Sequence, residues 1–241
     1  MTKFVTKTTF TVGMLLVLLS VPAFGASVNK SIKIDADTKS GGASSVNGSI
    51  SVGENAVVTG GLRTVNGKIR IDTGASVKSA KTVNGSVLVS GNVTARDLQT
   101  VNGSIKVGAG SGVDGAIETV NGSITLEQGS EISQGIANIN GKIKLENATV
   151  GGNVETVSGD VFLEDESVLK GDLILEEPSG WGWGKSNTRK PRIVIGPGSR
   201  VEGVIKLERK AELFISESAE VGGVEGVMSM DDATIFSGSR P

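Results

Sequence analysis

Val65-Asn66-Gly67-Lys68-Ile69-Arg70-Ile71 is the stretch that decides the fold, because the chain repeats it. Clear copies begin at Val46, Val83, Val101 and Val120, each reading Val-Asn-Gly-Ser followed by an apolar, a variable and a second apolar residue. Degraded copies begin at Val28, Ile139 and Val157. The eight copies follow one another at steps of 18, 19, 18, 18, 19, 19 and 18 residues, and a period this regular marks a stacked repeat architecture.

Two arrangements carry such a period. Asn-Gly is a strong hairpin signal, which makes an antiparallel meander one candidate. A two-residue hairpin around Asn66-Gly67 would set Val65 opposite Lys68 and Thr64 opposite Ile69, mixing polar and apolar residues on each face. A strand running through the motif instead aligns Val65, Ile69 and Ile71 on a dry side and Thr64, Asn66, Lys68 and Arg70 on a wet one. The expectation is therefore an all-β, single-stranded parallel β-helix of about 18–20 residues per coil, with like residues stacked at the strand spacing. The general crossover preference and the wobble in the step point to the right-handed form. Further round the coil, Ala75, Val77 and Ala80 answer Ala56 and Val58, and Gly53, Gly60 and Gly74 mark corners.

Past Leu163 the register changes. The run Ile193-Val194-Ile195 is answered 20 residues later by Leu213-Phe214-Ile215, which reads as final coils of longer step. Between them, residues 177–191 are rich in Gly and bases and bounded by Pro178 and Pro191, an excursion from the rod. The expected organisation is a signal peptide over 1–25, β-helix repeats over 26–175, a Trp/Gly-rich basic loop over 176–192, final coils over 193–230 and a C-terminal cap or tail over 231–241.

Lys3 and Lys7, the apolar run Met14 to Leu19 and the small residues Pro22-Ala23-Phe24-Gly25 have the layout of a cleavable export signal, with cleavage expected after Gly25. That apolar core is about half of a membrane span, and no later segment approaches one, so the mature chain is expected to be periplasmic or secreted without a transmembrane span. The chain has no Cys, so its stability rests on packing and not on disulfides. Removing Lys3 and Lys7 takes the formal charge from −2 to −4, spread without long runs, which gives nucleic-acid binding no electrostatic support. With 35 Gly, six Phe, two Trp, no Tyr and no His, the composition suits short, closely turned strands.

Stacking converts each motif residue into a column. Asn29, Asn47, Asn66, Asn84, Asn102, Asn121 and Asn140 form one, with amides spaced to bond along the rod and a residue type that tolerates left-handed corners. Thr64, Thr82, Thr100 and Thr119 form a second, expected on the outside beside the amides as a repetitive face for a glycan or for nothing at all. Glu127, Glu146 and Glu164 form a third, to be solvated, paired with neighbours such as Lys144, or bridged by calcium. Both tryptophans lie in Gly180-Trp181-Gly182-Trp183-Gly184-Lys185, with Arg189 nearby, a candidate contact segment for a sugar ring, a lipid headgroup region or a protein partner. The Asn-Gly-Ser sequons at Asn47, Asn84, Asn102 and Asn121 follow from the repeat itself.

Catalysis has little to use. Without His or Cys, what remains is Ser-Lys or carboxylate chemistry, and the pairs Glu164/Glu166 and Asp231/Asp232 show nothing that would split their pKa values. No catalytic residue and no cofactor is expected, and a polysaccharide-cleaving β-helix is the enzymatic alternative.

Through Gly198-Ser199-Arg200-Val201-Glu202-Gly203-Val204 and its Gly-bounded apolar pairs, the chain resembles the bactofilins, bacterial polymer-forming β-helix proteins. The Val-Asn-Gly copies look more like secreted adhesins built from β-strand repeats. Bactofilin likeness implies end-to-end filament assembly without nucleotide, while the export signal departs from that cytoplasmic family. The resulting expectation is an exported, non-enzymatic structural or adhesion-type envelope protein, able to self-associate end to end and to meet an envelope glycan or protein.

Overall fold

The computed structural model describes residues 26–178 and 189–241. Its strands form two sheets, one of eleven strands and one of eighteen, wound as a parallel β-solenoid of about ten turns. Successive copies of the motif pair in parallel and in register: Ile50 lies against Ile69, Ile69 against Val87, Val87 against Ile105 and Ile105 against Ile124. Parallel pairing excludes the hairpin meander, in which neighbours would run in opposite directions.

Each coil has three sides. The first is the eleven-stranded sheet, from Ile32–Ile34 through Ile69–Ile71 and Lys142–Glu146 to Thr234–Phe236. The other two belong to the eighteen-stranded sheet and appear as separate short strands in most coils, such as Glu131–Ile132 and Ile136–Asn140. In the coils holding Val57–Thr64, Ser76–Asn84 and Thr94–Asn102, they merge into one continuous strand. A register shift between Val58 and Gly61 absorbs the extra residue of that coil, the work of a β-bulge.

The interior is a set of apolar columns. Ile50, Ile69, Ile105, Ile124 and Ile143 are fully buried on the first side, and Leu62, Ala80, Leu98, Ile117 and Leu173 on the third. Ala56, Val58, Ala75, Val77 and Ala80 all face inward, as their recurrence predicts. Each Val, Leu or Ile buried in this way contributes about 1.5–3 kcal/mol relative to an exposed one. Long aromatics are not needed, because three short walls leave a narrow core that branched aliphatics fill.

The rod runs through the excursion. Val161 pairs with Ile193, Val168 with Arg200 and Leu173 with Ile205, so a 32-residue step replaces the usual one without a break in any side. The described residues reach Pro178 on one side of this step and resume at Arg189 on the other. Asp160 holds the returning end: its carboxylate accepts from the Arg192 N–H at 2.8 Å and pairs with the Arg189 guanidinium at 2.5 Å. Two expected boundaries move. Arg192 already belongs to a strand, and Thr234–Phe236 forms a further rung inside the stretch read as cap or tail, because Phe214, Ile215 and Ser216 offer it an unpaired edge.

Candidate functional site

The motif turns a corner, and that corner carries the repeating chemistry. The strand Ser76–Asn84 ends the third side, and Val87–Val89 begins the first. Gly85 sits between them, packed so tightly that a Cβ there would lie 2.0 Å from the carbonyl oxygen of Gly67 in the coil before. The corner interrupts strand alternation, which is why the expected face assignment fails in two neighbouring columns, the threonines and the valines.

Thr64, Thr82, Thr100 and Thr119 are not on the outside. All four are buried, and Thr82 and Thr100 have no exposed surface at all. The hydroxyl of Thr64 donates to the carbonyl of Gly48 at 2.8 Å, that of Thr82 to Gly67 at 2.9 Å, that of Thr100 to Gly85 at 2.8 Å and that of Thr119 to Gly103 at 3.2 Å. A carbonyl turned inward at the corner lies outside the sheet ladder, and an unpaired buried carbonyl is costly, so the threonine supplies its donor. The first clear copy does the same with Ser45, whose hydroxyl donates to the Lys30 carbonyl. Retention of a hydroxyl at Ser45, where β-branching is lost, is the sequence signal for this role. The Thr column therefore offers no surface to a ligand. Val46, Val65, Val83, Val120, Ile139 and Val157, expected inside, are half-buried along the corner instead, and Val101 is the buried exception.

The Asn column is an amide ladder, exposed from Asn29 to Asn121 and half-buried at Asn140. Each Nδ2 donates to the Oδ1 one coil earlier: Asn47 to Asn29, Asn66 to Asn47, Asn84 to Asn66, Asn102 to Asn84, Asn121 to Asn102 and Asn140 to Asn121, at 2.8–3.0 Å. These asparagines do not take the left-handed conformation. That conformation belongs to the opposite end of the first side, at Asp37, Asn55, Gly74, Asn92, Gly110, Gly129 and Asn147, where small polar residues and glycine alternate because both tolerate positive φ. Beside the amide ladder a serine ladder begins, with the Ser49 N–H donating to Ser31 Oγ at 3.2 Å and Ser104 to Ser86 at 3.3 Å.

The acidic column lies on the outer first side next to a basic one. Lys106 meets Glu127 at 2.6 Å, while Lys144 bonds Glu146 and also reaches Glu164 at 3.1 Å. Hydrogen bonding to Glu146 raises the Lys144 ammonium above its ordinary value of 10.5; partial burial opposes this and Glu164 reinforces it. Lys33–Asp35 and Arg70–Asp72 repeat the arrangement at 3.5 and 3.7 Å. Among the described residues, no group of three or more metal-ligating side chains comes together. On the third side, burial raises the Glu118 carboxyl above 4.5; Lys81 opposes this, Asp97 adds to it, and the bond from Gln99 at 2.9 Å again lowers it.

Trp181, Trp183 and Lys185 lie outside the described residues, while Arg189 is engaged by Asp160. The place where that segment joins the rod is defined. Leu175 pairs with Thr156, which pairs with Asn138 and so with Thr119, so Glu176 follows the threonine column as Val120 does, and the described residues reach the excursion at the position where a Val-Asn-Gly corner begins. Of the carboxylate pairs, Glu164 is bound by Lys144. Asp232 accepts the Ser229 N–H, which together with the Ser229 hydroxyl lowers its pKa despite slight desolvation, the opposite of what a general acid needs. No helix among the described residues is long and apolar enough to cross a membrane. No known family model, curated protein or solved structure matches the chain.

Proposed function

We propose that this chain is an exported, non-enzymatic structural rod of the cell envelope, with the corner bearing the amide ladder as its outward edge. One observation carries the reading: along that edge the polar side chains bond to one another from coil to coil. Such an edge is a repeated line and not a convergent pocket, and it suits an extended partner or a scaffold better than a small substrate. The export-type segment at 1–25 supports placement outside the cytoplasm. The described residues that lead into the tryptophan segment reach the same corner, and its two aromatics between glycines suit contact with an envelope glycan or protein. The test is retention of the chain on cell-wall and exopolysaccharide fractions. Trp181→Ala with Trp183→Ala should abolish retention while the far-ultraviolet spectrum stays unchanged. Equal retention removes the contact role, and release of unsaturated sugars from the fractions overturns the non-enzymatic reading.

A second reading, end-to-end assembly, is favoured by where apolar surface is left open. Val28 in the first coil is 62% exposed, and Val227 and Ile235 in the last are each 54% exposed. Val28 follows Ser27 and Val227 follows Gly226, the first and last members of one series of in-register partners, so the two valines stand at the two ends of one column. Unpaired edges with matching apolar columns are surfaces on which a second copy can stack. Concentration-dependent filaments in electron micrographs, lost in Val227→Asp, are the expected result. A monomer at all concentrations by sedimentation refutes this second reading.

A further inference from the structure

We propose that Asn140 is a site of spontaneous deamidation, set by its position at the open end of the amide ladder. Six of the seven ladder asparagines precede glycine: Asn47, Asn66, Asn84, Asn102, Asn121 and Asn140. In an Asn-Gly pair the glycine nitrogen attacks the asparagine Cγ. A C–N bond forms, the bond from Cγ to Nδ2 breaks, and ammonia leaves carrying the proton of the glycine N–H. Solvent water then opens the cyclic imide to aspartate or isoaspartate, with no oxidation or reduction at any step. For Cγ to turn toward its own glycine, the side-chain amide must leave the ladder.

The five interior amides are held from both sides, since each Nδ2 donates to the coil before and each Oδ1 accepts from the coil after. Asn140 has only the first of these bonds, made to Asn121 at 3.0 Å. The next coil places Ser158 above it, with the Ser158 N–H bonded to the Ile139 carbonyl, and the Ser158 Oγ is buried without a partner. The following glycine differs as well. Gly141 has φ +123, whereas the other five ladder glycines keep negative φ. At Asn102 and Asn121 the attacking group is restrained too, because the N–H of Gly103 donates to the Asn121 carbonyl at 3.1 Å and that of Gly122 to Asn140 at 3.0 Å. Loss of one hydrogen bond makes the turned-in side chain about tenfold more populated, so Asn140 should convert fastest and Asn102 and Asn121 slowest. This inference does not depend on the envelope role.

The experiment incubates the folded full chain at mildly alkaline pH and follows each Asn-Gly peptide by mass spectrometry with isoaspartate detection. Conversion at Asn140 is expected about tenfold ahead of Asn102 and Asn121, with the difference collapsing in concentrated urea. Equal rates in the folded chain, or an intact Asn140 beside converted interior positions, overturn the proposal. Ser158→Asn adds a rung and should protect Asn140. If that variant does not fold, Asn121→Ser leaves the Asn102 Oδ1 without its donor and should accelerate conversion there about tenfold. An unchanged rate at the affected position in the variant tested overturns the proposal as well.

Discussion

Replacing Thr82 by valine isolates the hydroxyl that the corner uses. Valine keeps the branching and nearly the volume of threonine, so packing in this fully buried site is retained, and what disappears is the donor 2.9 Å from the Gly67 carbonyl. A buried carbonyl left without its partner costs about 1–3 kcal/mol, and the gain from burying a methyl in place of a hydroxyl leaves a net loss of about 1–2 kcal/mol. For a chain of 150–250 residues each kcal/mol moves the midpoint by about 2–4 °C, which puts the expected fall at roughly 2–8 °C. The control is Thr94→Val. Thr94 is exposed on the second side, and its substitution should stay within about 0.5 kcal/mol. Thermal and urea unfolding followed by far-ultraviolet circular dichroism measures both, with an unchanged denaturant slope required for the comparison. Thr64 and Thr119 lie three coils apart, about 14 Å at strand spacing, so valine at both should cost the sum of the single losses. A Thr82→Val protein as stable as the wild type, or no worse than Thr94→Val, would refute the capping role and return the column to the outer face.

Other perturbations separate column from column. Gly85→Ala drives a Cβ to 2.0 Å from the Gly67 carbonyl and should cost at least about 2 kcal/mol in urea unfolding, whereas Gly112→Ala meets nothing within 4 Å and should be neutral or slightly stabilising. The Glu118 carboxyl is raised in the fold by burial, so its neutral form favours the native state. Its contribution is full below about 4.5 and is lost as pH rises through the folded value. Glu118→Gln should therefore gain stability relative to wild type between pH 4 and 7, and a difference independent of pH would exclude this account. Lys144→Gln removes the cation held by Glu146 and Glu164; calcium should then raise the melting temperature of the variant and leave the wild type unmoved, a result that equal responses would contradict.

The repeat made the coil, the parallel pairing and the apolar columns legible, because a column stacks only if the spacing of Ile50, Ile69, Val87 and Ile105 is kept. The threonines were misread for a specific reason. Period-two alternation holds within a strand and fails at a corner, and the motif spans a corner, so counting from Ile69 back through Gly67 assigns Thr64 the wrong face. The glutamates were legible only as alternatives, since pairing of Lys106 with Glu127 and of Lys144 with Glu164 joins side chains of different coils. The strand at Thr234–Phe236 was hidden because its apolar pattern is short and only Phe236 is buried.

The excursion shows why a rod of this kind tolerates change at one corner. Each coil touches only its neighbours, so the cost of lengthening a connection is local. Going from a corner of about four residues to one of about sixteen is two doublings, or about 1.2 kcal/mol of closure entropy. Against that stand the bonds of Asp160 to Arg189 and to the Arg192 N–H, and on the adjoining side Asp172 bonded to the Val204 N–H at 3.0 Å and to Lys206 at 2.5 Å. Burial alone would raise the Asp172 carboxyl, but the hydrogen bond from Lys206, the Val204 N–H and the Lys206 charge together bring it below 3.8, so it stays ionised and holds that end of the coil down to acid pH. The coils on either side remain in register across the longer step.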